Sequence, residues 1–401
     1  SWNVQEEDFF QSKVINRLTP RITYGLTGNF DRSGSSTPLL SVSRSFNSAI
    51  GAYMSRVSNA PNPKLRWERT KTLNVGVEIG LFDRLAMTLE YYNKRSYDLL
   101  GKVQIDPTLG FDEGSINAAD MRNTGFEMQL NAEALRLKDF NWHVNFVFGY
   151  NKNKITNLES RPRVMDLVKA EGAPRQGYPV RAIFSVPFLG LTSEGIPTVM
   201  DSDGNPCIGD INFQETNKLD FLKYEGPVDP KITGGFENTF KYGNFSFAVF
   251  LNYQFGNKVR LHDYFKSEYN DLSAMPKDFL DRWMIPGDEN ITSVPAILSV
   301  RQNERKNSEY KKVYNAYNYS TERIADGSFI RLKDISLTYK FDDKWVRNIG
   351  LSSMSLKCIM SNVALLYSDK KLHGQDPEFF RSGGVALPVP RQVTFSLRVG
   401  F

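Results

Sequence analysis

Apolar and polar residues alternate with a period of two along much of this chain, and the last such stretch runs to the final residue. The apolar positions of that stretch are Val393, Phe395, Leu397, Val399 and Phe401. Alternation of this kind predicts a β-strand with one apolar face and one polar face. In a membrane barrel, the apolar face would meet lipid and the polar face would meet the lumen. In a soluble sheet, the same strand would be half-buried, and strand length distinguishes these two interpretations.

The same alternation recurs upstream. Its apolar members are Leu73, Val75, Val77 and Ile79; Leu85, Met87, Leu89 and Tyr91; Phe126, Met128, Leu130 and Ala132; Trp142, Val144, Phe146 and Phe148; and Phe245, Phe247, Val249 and Leu251. A slip of one residue would exchange the two faces, so each stretch specifies its register. The pattern predicts ten strands, at about 14–28, 69–80, 84–101, 119–133, 139–155, 231–242, 244–257, 328–341, 350–366 and 391–401.

Several of these strands exceed the roughly 5–6 residues that are usual in soluble sheets. They match or exceed the ~9–11 residues that a tilted strand needs to cross a bilayer. The sequence has no apolar run near the ~20 residues of a membrane-spanning helix. Strand length therefore predicts an all-β fold, a transmembrane antiparallel β-barrel whose apolar faces meet lipid and whose polar faces meet a wet lumen.

Short and long connections alternate between the predicted strands. The long ones are about 29–68, 102–118, 156–230, 258–327 and 367–390. Outer-membrane barrels have short periplasmic turns and long extracellular loops, and a periplasmic Phe401 places every connection on the expected side. A terminal Phe401 is also similar to the signal read by the barrel-insertion machinery. An additional hairpin at about 178–200 would raise the strand number from ten to twelve and preserve this parity.

Charge and composition narrow the function classes. Basic and acidic residues nearly balance, 50 against 45, so no nucleic-acid partner is expected. Aromatic residues make up 13% of the chain and are typical both of strands and of membrane interfaces. The mean hydropathy of −0.41 is that of a soluble protein, but it understates a barrel, where alternate residues face lipid.

Catalytic chemistry is not predicted. The sequence shows no phosphate-binding loop, dinucleotide motif, G-x-S-x-G or H-E-x-x-H pattern, so the chain is not expected to be an enzyme. Glu78, Glu90 and Glu127 lie on predicted polar faces, where lumen-facing charge explains them more simply than a catalytic pair. Cys207 and Cys358 form no disulfide-framework pattern, and the sequence leaves open whether they pair.

Aromatic residues of one long loop are the candidate substrate contacts. The candidates are Trp283, Tyr314, Tyr317 and Tyr319, and the same loop also carries Tyr264, Tyr269 and Tyr310. Rings of this kind offer apolar area and a polar group to a sugar or a peptide. In the alternative interpretation, the rings fold the loop onto itself and its neighbours.

One loop resembles the start of a calcium loop. In DSDGNPCIGD, Asp201, Asp203 and Asn205 have the spacing of the first three ligands. Pro206 stands where the motif needs glycine, and Asn212 stands where it needs a bidentate glutamate. The same residues are ordinary turn formers, so no cofactor is predicted, and a Ca²⁺ ion in this extracellular loop is the alternative.

Several segments, in order along the chain, resemble the SusC/RagA-like TonB-dependent transporters of Bacteroidetes outer membranes. They are NPKLRWERTKTLNVGVE (62–78), LEYYNKRSYDLL (89–100), MRNTGFEMQLNAE (121–133), GYNKNKITNL (149–158), DRWMIPGDEN (281–290), ADGSFIRLKDISLTYKF (325–341), DPEFF (376–380) and LPVPRQVTFSLRVGF (387–401). This resemblance spans nearly the whole chain.

The resemblance implies a 22-stranded barrel with an N-terminal plug that imports oligosaccharides or oligopeptides. It also implies a SusD-like lipoprotein lid, the TonB complex as energy source, outer-membrane lipid around the barrel, and dimers of such heterodimers. Residues 1–401 show no plug domain and no TonB box, so we expect them to form the C-terminal half of the barrel, about 10–12 strands. An N-terminal barrel half and plug are then required, because open sheet edges are not tolerated in lipid.

Two other functions stay open at this stage. The barrel could serve as an outer-membrane receptor or assembly scaffold without its own transport activity. A secreted, soluble glycan-binding protein is the third interpretation, and the strand lengths oppose it. The sequence does not distinguish a glycan cargo from a peptide cargo.

Overall fold

One antiparallel sheet of long strands dominates the computed structural model, which describes residues 1–30, 41–59, 62–104, 108, 113–209, 211–269, 272, 275, 277–305, 309–380 and 389–401. The strands in chain order are β1 (Ile15–Asn29), β2 (Ser41–Asn47), β3 (Ala52–Asn59), β4 (Glu68–Leu81), β5 (Leu85–Gln104), β6 (Glu113–Arg136), β7 (Phe140–Leu158), β8 (Ala182–Ser185), β9 (Phe188–Leu191), β10 (Pro197–Met200), β11 (Pro206–Cys207), β12 (Lys223–Pro227), β13 (Ile232–Tyr242), β14 (Phe245–Phe255), β15 (Lys258–Arg260), β16 (Ile324–Asp326), β17 (Phe329–Lys340), β18 (Ser353–Tyr367) and β19 (Gln392–Gly400).

Helices are short and lie between the strands. The α-helices of the described residues are α1 (Val164–Val168), α2 (Val300–Arg305), α3 (Glu309–Asn318) and α4 (Asp343–Asn348). Single 3-10 turns occur at Val4–Glu6, Lys277–Asp281, Asp288–Asn290, Thr321–Arg323 and Lys370–Leu372. Across these described segments, no helix has the length and apolarity needed to pass through a membrane.

We call the large sheet the wall. Its ten strands follow the order β1-β4-β5-β6-β7-β13-β14-β17-β18-β19, and each neighbouring pair is antiparallel. Each strand predicted from the alternation is present, with ends that mostly agree within a few residues. The predicted all-β architecture is therefore confirmed. The long connections lie at one end of the wall, and the short connections lie at the other, at 82–84, 137–139, 243–244 and 341–352.

The register of the wall joins the apolar positions of successive strands into continuous rows. Val75 pairs with Ile22 on one side and with Tyr91 on the other, and Tyr91 pairs with Phe126. These rows are partly exposed even in the interior of the wall: Val75 is 42% exposed and Tyr91 is 45% exposed. An exposed apolar face of this extent, opposite a polar face, has the pattern of a lipid-facing barrel surface.

Both ends of one predicted connection, the one between β5 and β6, differ from the prediction. Strands β5 and β6 pair as far as Gln104 and Glu113, so the connection predicted at 102–118 is confined to 105–112. The register of this pair shifts between Ser96 and Leu100. Such irregularities break the period of two, which is why alternation did not reveal the outer part of the hairpin.

The additional hairpin predicted at about 178–200 does not join the wall. Strands β8, β9 and β10 lie there, but they belong to small separate sheets of order β11-β10-β9 and β12-β8. Strands of four residues are too short to cross a bilayer. Among the described residues, the wall therefore has ten strands and not twelve.

The largest buried apolar cluster lies in the long connections and not on the wall. It joins residues such as Val164, Leu167 and Phe184 to Val313 and Tyr314. We call the described residues of 159–231 and 256–328 the loop domain. The backbones of its two parts interlock, since Val186 N donates to Tyr319 O at 3.0 Å and Thr321 N donates to Val186 O at 3.0 Å.

On the polar face of the wall, Tyr92 lies across a glycine of the next strand. Gly125 pairs with Tyr92, and a Cβ atom at Gly125 would overlap the Tyr92 ring and lie 2.6 Å from Tyr150 O. The Tyr92 hydroxyl reaches over the glycine and donates to Asn151 Oδ1 at 3.2 Å. A glycine inside a strand often marks a place where another group, here the Tyr92 ring, comes close to the backbone.

This packing predicts that Gly125→Ala destabilises the wall by about 1–3 kcal/mol, because the added methyl forces Tyr92 and the β7 backbone to move. Thermal unfolding in detergent, followed by the far-ultraviolet circular dichroism of the strands, measures the loss. Gly149→Ala is the matched control on β7, since its nearest contact would be Thr233 Oγ1 at 3.6 Å. Equal stability of the two variants would contradict the Tyr92–Gly125 contact.

Candidate functional site

The polar face of the wall carries a ladder of ion pairs across β1, β4 and β5. Arg17 Nη2 lies 2.5 Å from Glu78 Oε2, and Arg21 pairs with both Glu78 and Glu90. Asn74 Nδ2 donates to Glu90 Oε2 at 3.1 Å. Each of these carboxylates therefore has a cross-strand partner on a partly water-exposed face, as expected for the lining of a hydrated passage.

Near the short turns, this polar face forms an open concavity of about 660 Å³. Strands β1, β4, β5, β6, β7 and β13 contribute to its lining. Charges of both signs line it, among them Arg17, Arg84, Glu133, His143 and Lys241. The mixed charge keeps the concavity hydrated without selecting one sign of solute.

A second pocket of about 460 Å³, here called the rim pocket, lies where the outer end of β7 meets the loop domain. The loop is held there because Ile155 N donates to Tyr178 O at 2.9 Å and Val180 N donates to Asn153 Oδ1 at 2.8 Å. The rings of Tyr178 and Tyr224 lie side by side in its lining, with centroids 4.8 Å apart.

The rim pocket offers phenols, amides and charged groups together, and its lining includes the carboxylate of Asp229. Burial, and then the neighbouring Tyr178, raise the pKa of Tyr224 to about 12, so its phenol stays protonated at neutral pH. Lys152, Lys154 and Lys231 also line the pocket. Phenols, ammonium groups and the amides of β7 can hydrogen-bond either sugar hydroxyls or peptide groups. Neither tyrosine was among the predicted contacts, because all of those lie in the loop richest in aromatic residues. The turn signal of Pro179, next to Tyr178, was the local feature that could have indicated this site.

Two of the four predicted aromatic contacts are core residues. Tyr314 and Tyr317 are only 1% and 2% exposed. The Tyr314 hydroxyl donates to Ala296 O at 2.5 Å, and the Tyr317 ring meets Phe265 edge-on at 5.1 Å. Burial raises the pKa of both phenols. The two rings pack inside the loop domain, and substrate contact by Tyr314 or Tyr317 stays a prediction.

The other two predicted contacts are half-buried. Trp283 Nε1 donates to Glu289 Oε2 at 3.1 Å, and the indole covers Gly195, whose φ of +73° favours glycine. Tyr319 packs against Phe213 and lies 5.8 Å from the Arg260 guanidinium. Substrate contact by Trp283 or Tyr319 stays a prediction.

The segment that resembles a calcium loop forms a side-chain-closed turn. Asp201 Oδ1 accepts the backbone N–H groups of Asp203 at 2.9 Å and Asn205 at 2.8 Å. Asp203 pairs with Lys218 Nζ at 2.6 Å. Within the part of the chain that the structure describes, no cluster of three or more His, Cys, Asp or Glu side chains is placed to hold a metal. Calcium in this loop stays a prediction.

The remaining sequence candidates are not among the lining residues of the concavity or of the rim pocket. Phe401 follows β19 and is 96% exposed, and its role as an insertion signal stays a prediction. Cys207 on β11 and Cys358 on β18 are both free thiols.

A buried cation fastens the last long connection to the wall. Arg331 on β17 is 3% exposed, and its Nη2 lies 2.6 Å from Asp376 Oδ1 and 3.2 Å from Glu378 Oε2. Arg331 Nη1 donates to Asn362 Oδ1 at 2.8 Å. Since Asp376 is 7% exposed and Glu378 is 40% exposed, the buried Asp376 is the stronger link.

Comparisons with known proteins agree with this geometry. The family model described as TonB dependent receptor-like, beta-barrel matches residues 5–357. TonB-dependent receptor P39 of Formosa agariphila is 27% identical over 442 residues, covering 96% of this chain and 40% of the relative. TonB-dependent receptor SusC of Bacteroides thetaiotaomicron is 25% identical over 412 residues, covering 99% and 38%.

A solved structure of the RagAB peptide transporter shares the fold, with a TM-score of 0.77, 23% identity, and coverage of all of this chain and 42% of that chain. The chain therefore spans about two fifths of the length of the curated relatives it matches.

We expect Asp376→Asn to loosen the last connection, because it leaves the Arg331 charge buried without its close carboxylate. Breaking a buried pair of this kind costs about 3–5 kcal/mol. Hydrogen–deuterium exchange of residues 368–380 measures the local opening. Glu378→Gln is the control on the same guanidinium, and its exposed pair is worth about 0–1 kcal/mol. Unchanged protection in Asp376→Asn would show that the pair does not hold this segment.

Proposed function

Since this chain belongs to the TonB-dependent receptor-like β-barrel family, we propose that it forms part of the wall and the outer loops of an outer-membrane importer. In this proposal, residues 1–401 are the C-terminal half of a 22-stranded barrel with long extracellular loops. The other half, the plug and the segment that meets the TonB complex belong to the rest of the protein.

The observation that carries the proposal is the register of the wall. Apolar rows run across neighbouring strands on one face, while the opposite face carries the Arg17–Glu78 and Arg21–Glu90 pairs. A soluble sheet would cover its apolar face with a second layer. Here that face is exposed over the wall, as contact with membrane lipid requires.

The open order of the wall supports the need for further strands. Strands β1 and β19 stand at its two ends. Unpaired backbone groups of an edge strand are not tolerated in hydrocarbon, so each edge requires a partner strand. The share of the relatives that this chain spans leaves room for such strands.

We further propose that the cargo is an oligosaccharide or an oligopeptide, captured with a SusD-like surface lipoprotein above the outer loops. Two such pairs would associate as a dimer of heterodimers. The rim pocket supports either cargo, because phenols, lysines and amides bind hydroxyl and peptide groups alike. Transport by such a protein needs no catalytic residue and no resident cofactor.

A receptor or scaffold without its own transport is the second candidate, favoured by the firm mutual packing of the outer loops.

The deciding experiment follows uptake of labelled oligosaccharides and oligopeptides in cells that carry the whole protein, with and without TonB. Importer function predicts uptake that needs both the protein and TonB. Uptake that persists without TonB, or binding without uptake, would favour the second candidate. Mass spectrometry of the detergent-purified protein tests for the lipoprotein partner.

If the rim pocket contacts the cargo, replacing both Tyr178 and Tyr224 with phenylalanine should raise the KM for uptake about tenfold, since two hydrogen bonds are lost while the rings remain. Tyr24→Phe, on the apolar face of β1, is the control and should leave KM unchanged. The same KM in the double variant and the control would remove the rim pocket from the transport path.

A further inference from the structure

A third pocket, of about 380 Å³, lies where the loop domain meets the segment after β18. We call it the basic pocket; it shares no lining residue with the rim pocket. Its apolar wall is buried and includes Leu261, Leu372 and Phe380, each at most 8% exposed. Lysines stand at its mouth, where Lys277 and Lys371 are exposed.

The charges in this pocket are unequal. Lys277, Arg323 and Lys371 line it, against the single carboxylate of Asp278. That carboxylate is already engaged, since its Oδ2 lies 2.9 Å from Arg323 Nη1 and its Oδ1 lies 2.7 Å from His373 Nε2. Its charge is therefore compensated inside the lining, and two lysine charges are left to act on a ligand.

The Arg323 guanidinium is buried and already bonded within the protein, so it is not available as the main anion-binding group. Its side chain is 6% exposed, its Nη2 donates to His262 O at 3.0 Å, and its guanidinium lies 4.7 Å from the Phe265 ring centroid. The two lysines, in contrast, make no ion pair within the described part of the chain. They are the groups that can bind an anion.

One wall of the pocket is apolar. His262 stacks on Phe380 with ring centroids 4.6 Å apart and 26° between the planes. Burial lowers the pKa of His262, so the imidazole is neutral at pH 7 and adds to the apolar wall. Leu261 and Leu372 extend this apolar wall, while Tyr264, His373 and Gln375 add polar groups elsewhere in the lining. A hydroxyl group packed against the apolar wall would be buried without a partner, which is costly.

We propose that the basic pocket binds a carboxylate joined to a compact apolar group, the chemistry of the carboxy-terminal residue of a short peptide. The carboxylate lies between Lys277 and Lys371, and the apolar side chain packs against Phe380 and Leu372. A polyhydroxylated acid carries the same charge but would place hydroxyls against aliphatic carbon. Free phosphate carries charge without the apolar group.

Calorimetric titration of the detergent-solubilised whole protein tests this with four probes: N-acetylglycyl-leucine, its carboxy-terminal amide, glucuronate and inorganic phosphate. We expect the acid to bind and the amide to bind about tenfold more weakly, because a charge-assisted hydrogen bond is lost. Glucuronate and phosphate should bind more weakly than the acid. Binding in detergent needs neither TonB nor uptake, so failure here leaves the import proposal untouched.

Lys371→Gln should weaken binding of the acid about tenfold for the same reason. Lys370→Gln is the matched control, since Lys370 lies on the same 3-10 turn but does not line the pocket. Both lysines are exposed, so neither variant should disturb folding. Equal affinity for acid and amide, tighter binding of glucuronate or phosphate, equal loss in both variants, or no binding of any probe would overturn the proposal.

Discussion

In hydrocarbon, a backbone amide without a hydrogen-bond partner costs several kilocalories per mole, and a closed β-sheet removes that cost by pairing every strand. The wall depends on this constraint. Each strand must pair along its length with both neighbours, so its side-chain register follows from its neighbour's register. Once Val75 lies opposite Ile22 and Tyr91, the whole apolar row and the opposite charged row are determined.

The constraint also explains where the core is. A sheet that exposes its apolar face to lipid cannot use that face to hold the rest of the chain. The outer connections therefore build their own core around residues such as Phe184 and Tyr314. Within it, Arg260 of β15 is 4% exposed and donates to Phe184 O at 2.7 Å and Ser185 Oγ at 2.8 Å. Burial lowers the pKa of Arg260 to about 9, which leaves it charged at neutral pH.

The wall was predictable from sequence because its signal is local: alternation places each side chain on a face without knowledge of any partner. The loop domain was not, because its contacts are distant in sequence. The helical spacing of Tyr310, Val313, Tyr314 and Tyr317 marks one apolar face of α3 but does not show what covers that face. The burial of Tyr314 depends on Ala296 and on strands from another connection. The outer part of β5 and β6 was missed for a local reason, the register shifts near Leu99.

Three buried arginines join the long connections to one another and to the wall. Arg260 joins the two parts of the loop domain, Arg323 holds Asp278, which also meets His373 of the next connection, and Arg331 holds Asp376. Guanidinium suits these junctions because its planar fork directs several donors at once, whereas an ammonium acts as a point charge. Loops held in this way are already ordered before a ligand binds, so less conformational entropy is lost on binding. Long connections between the strands of a sheet therefore need not be disordered to meet a solute, since they can carry preformed pockets as a folded domain does.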